Sequence, residues 1–302
     1  MTMMARRFHA GEEMVQRRAG TYDMASRVGR GIHRELWPGA EAFVEEQRFV
    51  TAAAADSAGR LWASVLVGAP GFVSGEGEML FVRALPAADD PLADAIVDGG
   101  AVGLLVIDPA TRRRVRVNGR VLARTDAGLA LRIDEAFGNC PKYIQARSIV
   151  GDDGQAAVPG QASAGSALAD GQAALIGRAD TFFIASRHAE RGADVSHRGG
   201  RPGFVRVLSD GAIEFPDYVG NGMFNTLGNL AADPTAALLF VDFDTGTTLH
   251  LSGRAEVEWS DEAAAELTGV ERVVRFRVEQ VIERPAAVPF RWTAPQASPF
   301  NP

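Results

Sequence analysis

The residues best suited to binding chemistry are concentrated between positions 187 and 206. This stretch contains five arginines and two acidic residues, in a chain with 31 basic residues, 38 acidic residues and a formal net charge of −7. Its glycines would let a ligand approach the backbone closely, and a guanidinium group can hold two phosphate oxygens at once. The charge balance alone leaves two interpretations open, an anion site and a solvated hairpin. The five arginines are Arg187, Arg191, Arg198, Arg201 and Arg206.

A second basic run, Arg112-Arg113-Arg114-Val115-Arg116, favours the plainer interpretation. Lys142 is the one lysine of the chain, so arginine supplies nearly all of the positive charge wherever charge is needed. We therefore predict that the run at 112–116 faces solvent.

Three asparagines are spaced four residues apart in a segment that reads as a helix from about 221 to 232. Asn221, Asn225 and Asn229 would lie on one face of this helix, with apolar residues on the other. Asparagine inside a helix costs roughly 0.5 kcal/mol relative to alanine, so the stripe predicts either a solvent face or a surface that meets a ligand. The free N–H groups at the start of the helix would attract a phosphate. Tyr218, just before it, could stack on a ring or fill the core.

Other classes of site are disfavoured. The single cysteine, Cys140, excludes an intramolecular disulfide, a thiolate zinc site and an iron–sulfur cluster. It suggests a reducing compartment, so we predict a cytoplasmic protein. The five histidines lack helical metal-ligand spacing, and we predict no metal site. The acidic net charge argues against nucleic acid as a partner, and the absence of an apolar run of about 18 residues predicts no membrane span.

An internal repeat organises the chain. Pro70-Gly71-Phe72-Val73 matches Pro202-Gly203-Phe204-Val205 at an offset of 132, and Leu104-Leu105 matches Leu238-Leu239 at an offset of 134. Gly119-Arg120 matches Gly253-Arg254 at the same second offset. Order and spacing are preserved, which predicts two similar halves.

Each half reads mainly as short strands separated by turn signals, which is typical of closed or sandwiched β-sheets. We predict a mainly β fold in which each half is a small barrel with one helix between its third and fourth strands. The predicted divisions are a helical segment at 1–45, a first barrel at 46–147, a linker at 148–171, a second barrel at 172–285 and a tail at 286–302.

Two segments of the second half, 194–205 and 215–230, resemble the pyridoxamine 5′-phosphate oxidase-like flavoproteins, the FMN-binding split-barrel group. Pieces of the first half resemble the upstream barrel of the two-barrel members of that group. These pieces are Phe8-His9-Ala10-Gly11-Glu12, Pro70-Gly71-Phe72-Val73 and the run from Phe137 to Gln145. The resemblance implies two tandem split β-barrels that form a pseudo-dimer within one chain.

The resemblance also implies that FMN lies in the cleft between the barrels. The basic and polar positions belong to the second half, whereas their counterparts at 64–68 are mostly apolar, so one FMN site per chain is expected. The expected cofactor-binding residues are Arg187, Ser196, His197, Arg198, Tyr218, Asn221, Asn225 and Asn229 from the second barrel, with Asn139, Lys142 and Tyr143 opposite them. Gly222 departs from the pattern, because relatives often carry a larger polar or basic residue there.

Three functions remain open at this point. The resemblance favours an FMN-dependent oxidoreductase that acts on a small molecule or an electron-transfer partner, with the redox chemistry supplied by the flavin. The alternatives are a non-catalytic module for a flavin or another cofactor, such as FAD, a deazaflavin or haem, and a structural protein that has lost its ligand. No catalytic side chain is identified, and a monomer and a homodimer are both compatible with two barrels in one chain.

Overall fold

A computed structural model describes residues 7–151, 160–259 and 270–302 of the chain. Residues 1–6 of the predicted helical segment, 152–159 of the predicted linker and 260–269 of the predicted second barrel lie outside the described residues. None of the helices in the described ranges is long and apolar enough to cross a membrane.

The first half begins with helices and continues as an antiparallel sheet. Its helices are α1 (Ala10–Arg18), α2 (Tyr22–Val28), a 3-10 turn (Gly29–Gly31), α3 (Pro38–Glu45) and α4 (Leu92–Ala95). Its strands are β1 (Phe49–Ala55), β2 (Leu61–Val67), β3 (Val73–Glu76), β4 (Met79–Val82), β5 (Ala101–Asp108), β6 (Arg113–Thr125) and β7 (Gly128–Gly138).

The second half follows two short strands, β8 (Ile149–Gly151) and β9 (Ser163–Gly165), within the predicted linker. Its helices are α5 (Asp170–Arg178) and α6 (Asn225–Ala232). Its strands are β10 (Thr181–His188), β11 (Gly192–Gly199), β12 (Arg206–Val207), β13 (Ile213–Tyr218), β14 (Thr235–Val241), β15 (Thr248–Glu258), β16 (Val270–Arg284) and β17 (Arg291–Trp292), the last of which pairs with β8.

The two large sheets have the same strand order. The first is β2-β1-β5-β6-β7-β4-β3 and the second is β11-β10-β14-β15-β16-β13-β12, with β9 added beside β16. The registers also agree: Ser64 pairs with Ala52, which pairs with Leu104. In the second sheet Ser196 pairs with Ile184, which pairs with Leu238. Ser64 and Ser196 therefore occupy the same position in their respective sheets.

Three apolar clusters hold the molecule together. One fills the first half and one fills the second. The third joins the halves and contains residues from both, such as Leu105 and Ala53 from the first and Phe183 and Leu239 from the second. Burial of this shared apolar surface favours a fixed arrangement of the two sheets.

The strand and helix boundaries differ from the sequence prediction in two places that matter for the site. Helices α4 and α6 lie between the fourth and fifth strands of their halves, not between the third and fourth. The difference arises because the sequence did not predict the short strand β3 or the strand β11. The predicted helix at 221–232 begins only at Asn225, because Phe224 has left-handed backbone geometry with φ 58°. Asn221 therefore lies in the loop before the helix.

Candidate anion-binding cleft

A cleft lies between the two halves, where β6 of the first half faces β11 of the second. We call it the inter-half cleft and define it by its main polar lining residues. These are Arg114, Arg116, Asn139, Lys142, Tyr143, Ser196, His197, Arg198, Tyr218 and Asn221. Loop residues 139–143 form one wall, and the end of β13 with residues 220–221 forms another.

Alternation along the two strands brings the polar side chains together. Side chains two residues apart on a strand point to the same face, and β6 carries Arg114, Arg116 and Asn118 in this spacing. The facing strand carries Asp194 and Ser196 in the same spacing. The period-two pattern of each strand therefore places its polar residues against those of the other.

Arg116 links the two strands directly. Its Nη1 donates to both carboxylate oxygens of Asp194 at 3.1 Å, and its Nη2 donates to Ser196 Oγ at 2.8 Å. Asn118 Nδ2 also donates to Asp194, at 3.0 Å. The Arg116 and Asp194 side chains are almost completely buried, so this ion pair sits in a medium where charges interact more strongly than in water.

Arg114 is a cation whose hydrogen bonds all go to neutral groups. Among the described residues, its Nε donates to the carbonyl oxygen of Cys140 at 3.0 Å and its Nη1 donates to His197 Nδ1 at 3.2 Å. Desolvation in the protein interior, together with the nearby Arg116 and Arg198, lowers the pKa of Arg114 to about 9. A cation in this position would be stabilised by an anion in the cleft.

The whole cleft has more positive than negative charge. Four cations line it, and two carboxylates, Asp194 and Asp217, pair with two of them. Arg198 Nη1 lies 3.4 Å from Asp217 Oδ1, and Arg272 Nε lies 3.4 Å from the other oxygen of the same carboxylate, which leaves an excess of at least two positive charges at the cleft. Burial also lowers the pKa of Arg198, although Asp217 acts in the opposite direction. The four cations are Arg114, Arg116, Lys142 and Arg198.

Four buried polar atoms of the cleft have no hydrogen-bond partner among the described residues. They are Nε of Arg116, Nε of Arg198, Nε2 of His197 and Oδ1 of Asn139. Burial holds the pKa of His197 well below its usual value, so the ring is neutral. Since Nδ1 accepts from Arg114, Nε2 carries the proton. The cleft thus offers three unused donors and one unused acceptor, and a buried polar group without a partner is costly unless a ligand supplies one.

Two tyrosines form the outer wall of the cleft. The rings of Tyr143 and Tyr218 lie 5.0 Å apart and are tilted by 34°. Tyr143 has left-handed geometry with φ 67°, and its hydroxyl donates to the carbonyl oxygen of Val219 at 3.0 Å. The C-terminal residues support this wall, because Ser298 Oγ accepts from the Tyr143 backbone N–H at 3.2 Å and Lys142 Nζ lies 5.7 Å from the Phe300 ring. A planar ligand would meet aromatic surface here.

Eight of the eleven predicted cofactor-binding residues line the cleft, and three lie elsewhere. Arg187 Nε donates to Asp233 Oδ2 at 2.7 Å and its Nη1 to the carbonyl oxygen of Gly59 at 2.9 Å. Asn225 Nδ2 donates to Glu12 Oε1 at 2.6 Å, and Asn229 shares its amide between His9 and Ser186. The eight are Asn139, Lys142, Tyr143, Ser196, His197, Arg198, Tyr218 and Asn221.

The N-terminal helices explain both the asparagines and the departure at Gly222. Asn225 and Asn229 meet α1 rather than solvent. Gly222 has φ 73°, and a side chain there would collide with Met24 and approach Thr21. The Thr21 hydroxyl donates to the Gly222 carbonyl oxygen at 3.2 Å. The N-terminal segment therefore occupies the space that a larger residue at 222 would need.

The prediction that the run at 112–116 faces solvent was wrong for Arg114 and Arg116. Arg113 is exposed, but Arg116 is only 5% exposed and Arg114 lines the cleft. A signal was present in the sequence: Arg114, Arg116 and Asn118 alternate with Val115 and Val117, so the polar residues share one face of a strand. Within the described ranges, no three His, Cys, Asp or Glu side chains are grouped so that they could hold a metal ion.

The comparisons with known proteins concern the second half of the chain. The pyridoxamine 5′-phosphate oxidase family model matches residues 168–291. No curated protein sequence matches the chain.

Similar solved structures are distant. HupZ from Group A Streptococcus is 16% identical and covers 38% of this chain and 98% of its own, with a TM-score of 0.32. A candidate pyridoxamine 5′-phosphate oxidase from Lactobacillus delbrueckii is 20% identical over 38% of this chain and 93% of its own, with a TM-score of 0.32. An FAD-binding protein from Mesorhizobium loti is 12% identical over 41% of this chain and 97% of its own, with a TM-score of 0.28. Likenesses of this size carry no argument about function.

Proposed function

We propose that this chain binds a flavin, FMN, in the inter-half cleft, because the pyridoxamine 5′-phosphate oxidase family model matches residues 168–291. The observation that carries the proposal is Arg114, a cation turned toward the cleft with a carbonyl oxygen and a neutral imidazole as its partners. A phosphate dianion would balance the excess of two positive charges. Guanidinium groups are well matched to phosphate oxygens.

The unused polar atoms also fit a flavin. The pyrimidine edge of the ring system presents one N–H donor between two carbonyl acceptors. Asn139 Oδ1 would accept from the N–H and His197 Nε2 would donate to a carbonyl oxygen. The tyrosine wall would cover the ring, and the three arginines would hold the phosphate.

We infer that the two halves are tandem split barrels that form a pseudo-dimer, with one flavin site per chain. Equal strand order and equal register support this inference. We propose barrels at 46–147 and 172–285, and the limits of the two large sheets support these bounds apart from the short strand β9. The cleft residues then come from both barrels, so that neither barrel alone would hold the cofactor.

The proposed activity is oxidoreduction of a small molecule or an electron-transfer partner. The flavin, once bound, would supply the electron chemistry. The chain's own residues would bind and orient: Arg114, Arg116 and Arg198 at the phosphate, Asn139 and His197 at the ring edge, and Tyr143 with Tyr218 at the ring face. The other residues that the sequence predicted at the cofactor, Arg187, Asn225 and Asn229, would stabilise the surrounding structure.

The test is the absorbance spectrum of the purified protein, combined with mass identification of any bound molecule and titration of the apoprotein with FMN. We expect a flavin spectrum and one FMN per chain. A protein that stays colourless after FMN is added would contradict the proposal, and a bound FAD, deazaflavin or haem would replace FMN with that cofactor. Steady-state oxidation of NAD(P)H or a reduced deazaflavin by the holoprotein distinguishes an oxidoreductase from a flavin carrier.

A further inference from the structure

Glu12 is a buried carboxyl group that the proposed function does not use. It lies in the first turn of α1, which packs against α6 so closely that Gly11 approaches the Gly228 carbonyl oxygen. Any side chain at Gly11 would collide with that oxygen. The close approach of the two helices holds Glu12 between the halves, where it is only 5% exposed.

The hydrogen bonds of Glu12 come from neutral groups. Its Oε2 accepts from the His9 backbone N–H at 2.9 Å, and its Oε1 accepts from Asn225 Nδ2 at 2.6 Å. The His9 ring, 3.5 Å away, is neutral because burial lowers its pKa to about 4. Burial raises the pKa of Glu12 to about 8; the two hydrogen bonds act against this shift, and the nearby Glu135 and Asp194 act with it. Glu12 therefore carries a proton in most molecules at pH 7.

The groups around Glu12 come from four other elements, β6, β7, β11 and α6, and from the loops beside them. They include positive and negative charges. They enclose a small chamber whose polar lining includes Asn118 Oδ1, a buried acceptor without a partner among the described residues. The charged and titratable groups that line this chamber or stack on its wall are His9, Glu135, Arg191, Asp194 and His188. Arg191 pairs with Glu135, and Arg116 pairs with Asp194. These pairings leave Glu12 as the carboxyl group of the chamber without a cation of its own.

Two contacts connect the chamber to the cleft. Asn225, the partner of Glu12, also lines a neighbouring pocket that shares Arg116, Ser196 and Arg198 with the cleft. Asp194 lines the chamber and holds Arg116, which lines the cleft. A negative charge on Glu12 would thus act at short range on the cations that face the ligand.

We propose that Glu12 is a proton switch for the inter-half cleft, which binds an anionic ligand tightly while Glu12 is neutral and weakly once it ionises. The proposal rests on the proposed function, because it takes the ligand to be FMN. Ionisation adds one negative charge beside the arginine cluster and reduces the attraction for a phosphate. The switch lets a rise in pH release the cofactor without any change in the arginines themselves.

The experiment measures the dissociation constant of FMN by fluorescence quenching between pH 7 and pH 8.8. Over this range the phosphate stays dianionic. Arg114, whose pKa is about 9, loses part of its charge near the upper limit in every variant, so the switch is read from the difference between wild type and a variant changed only at Glu12. Wild type should lose affinity on the order of tenfold as Glu12 ionises. The isosteric variant Glu12→Gln should show only the smaller loss that follows from Arg114. Glu13→Gln, on the same helix but more exposed, should behave like wild type.

A second measurement detects the ionisation of the Glu12 carboxyl group directly. Carboxyl ¹³C resonances of glutamate-labelled apoprotein should include one that titrates near pH 8 and is missing from Glu12→Gln. A wild-type affinity profile that is flat, or that falls no further than the Glu12→Gln profile, would overturn the switch while leaving flavin binding intact. Lack of FMN binding by wild type at every pH would instead overturn the proposed function.

Discussion

Two serines at equivalent positions of the two sheets, Ser196 and Ser64, have different hydrogen-bond partners. In the second half, Ser196 accepts from Arg116 and lies in the open cleft. In the first half, Ser64 Oγ donates to Asp90 Oδ2 at 2.5 Å, and Arg284 Nη1 donates to the same oxygen at 2.8 Å. Both Asp90 and Arg284 are buried. A carboxylate of the chain thus sits beside Ser64, paired with a serine and an arginine as a bound anion would be.

The residues next to these two serines also differ between the halves. His197 and Arg198 of the second half correspond to Val65 and Leu66 of the first. Arg116 corresponds by register to His250, a buried ring that contacts the Ala63 carbonyl oxygen and whose pKa is lowered by burial. The two sheets share one strand order. A few side chains decide whether such a sheet leaves a cationic cleft open to an external anion or encloses a carboxylate of the chain itself.

The largest effect is expected from removing the internal anion. Asp90→Ala would leave Arg284 with only its exposed partner Asp89, and breaking a buried pair costs about 3–5 kcal/mol. Chemical denaturation should show this loss, while FMN affinity should stay within about twofold. The matched control Asp89→Ala removes a half-exposed carboxylate and should cost less than about 1 kcal/mol. A fall in FMN affinity for Asp90→Ala would mean that the two regions are coupled, against the comparison.

Removing Arg114 should have the opposite effect: it should lower the affinity for FMN and leave the stability unchanged. Arg114→Ala is expected to weaken FMN binding by about 1.5–3 kcal/mol, the value of a hydrogen bond to a charged group, without lowering the free energy of unfolding. Isothermal titration and denaturation measure the two quantities. Arg113→Ala, on the same strand but beside the Phe43 ring, is the control and should bind FMN normally. Equal affinities for both variants would place the phosphate elsewhere.

A smaller loss is expected at the ring edge. Asn139→Ala removes one neutral hydrogen bond, worth about 0.5–1.5 kcal/mol. The loss should appear equally with FMN and with riboflavin, which lacks the phosphate, whereas the Arg114→Ala loss should appear only with FMN. If riboflavin binding is unaffected by Asn139→Ala, the proposed orientation of the ring is contradicted.

The smallest effect is expected at Arg187. Burial opposes ionisation of Asp233, but hydrogen bonds from Thr235 and Arg187 hold the pKa of this carboxyl below its usual range. A lowered acid pKa contributes stability above its usual value, and the contribution is lost as pH falls through the lowered pKa. Arg187→Ala should therefore cost less than about 1 kcal/mol at pH 7, and the difference from wild type should vanish in acid. A loss of FMN binding would return Arg187 to the site.

The sequence predicted the strands of each half well because their apolar alternation is local. It did not predict β11, since Gly192 to Gly199 combines glycines, charges and one Val195, a composition typical of a loop. This strand gains its place from pairing with β10, a tertiary effect. The polar residues of β11 were nevertheless recognised as a candidate site, because charge and glycine content do not depend on whether the segment is a strand.

The parts of the site that the sequence did not predict are those that depend on contact between the halves. Arg114 and Arg116 look like any surface run until β6 is placed against β11. In the same way, Glu12 reads as an ordinary first-turn acid of a helix, and only the packing of α1 on α6 shows that it is buried. Long-range packing decides which arginines of the two basic runs line the cleft.

The packing of α1 against α6 also sets an order of events during synthesis. Glu12 contacts Asn225, which lies 213 residues later. At ribosomal speeds of about 5–20 residues per second, this separation corresponds to roughly 10–40 s. The first sheet can form during that time, but the first helix must wait for α6 to emerge. A nascent chain would therefore show an accessible N-terminal helix to a protease until translation passes residue 232, and cofactor capture would be among the last steps of maturation.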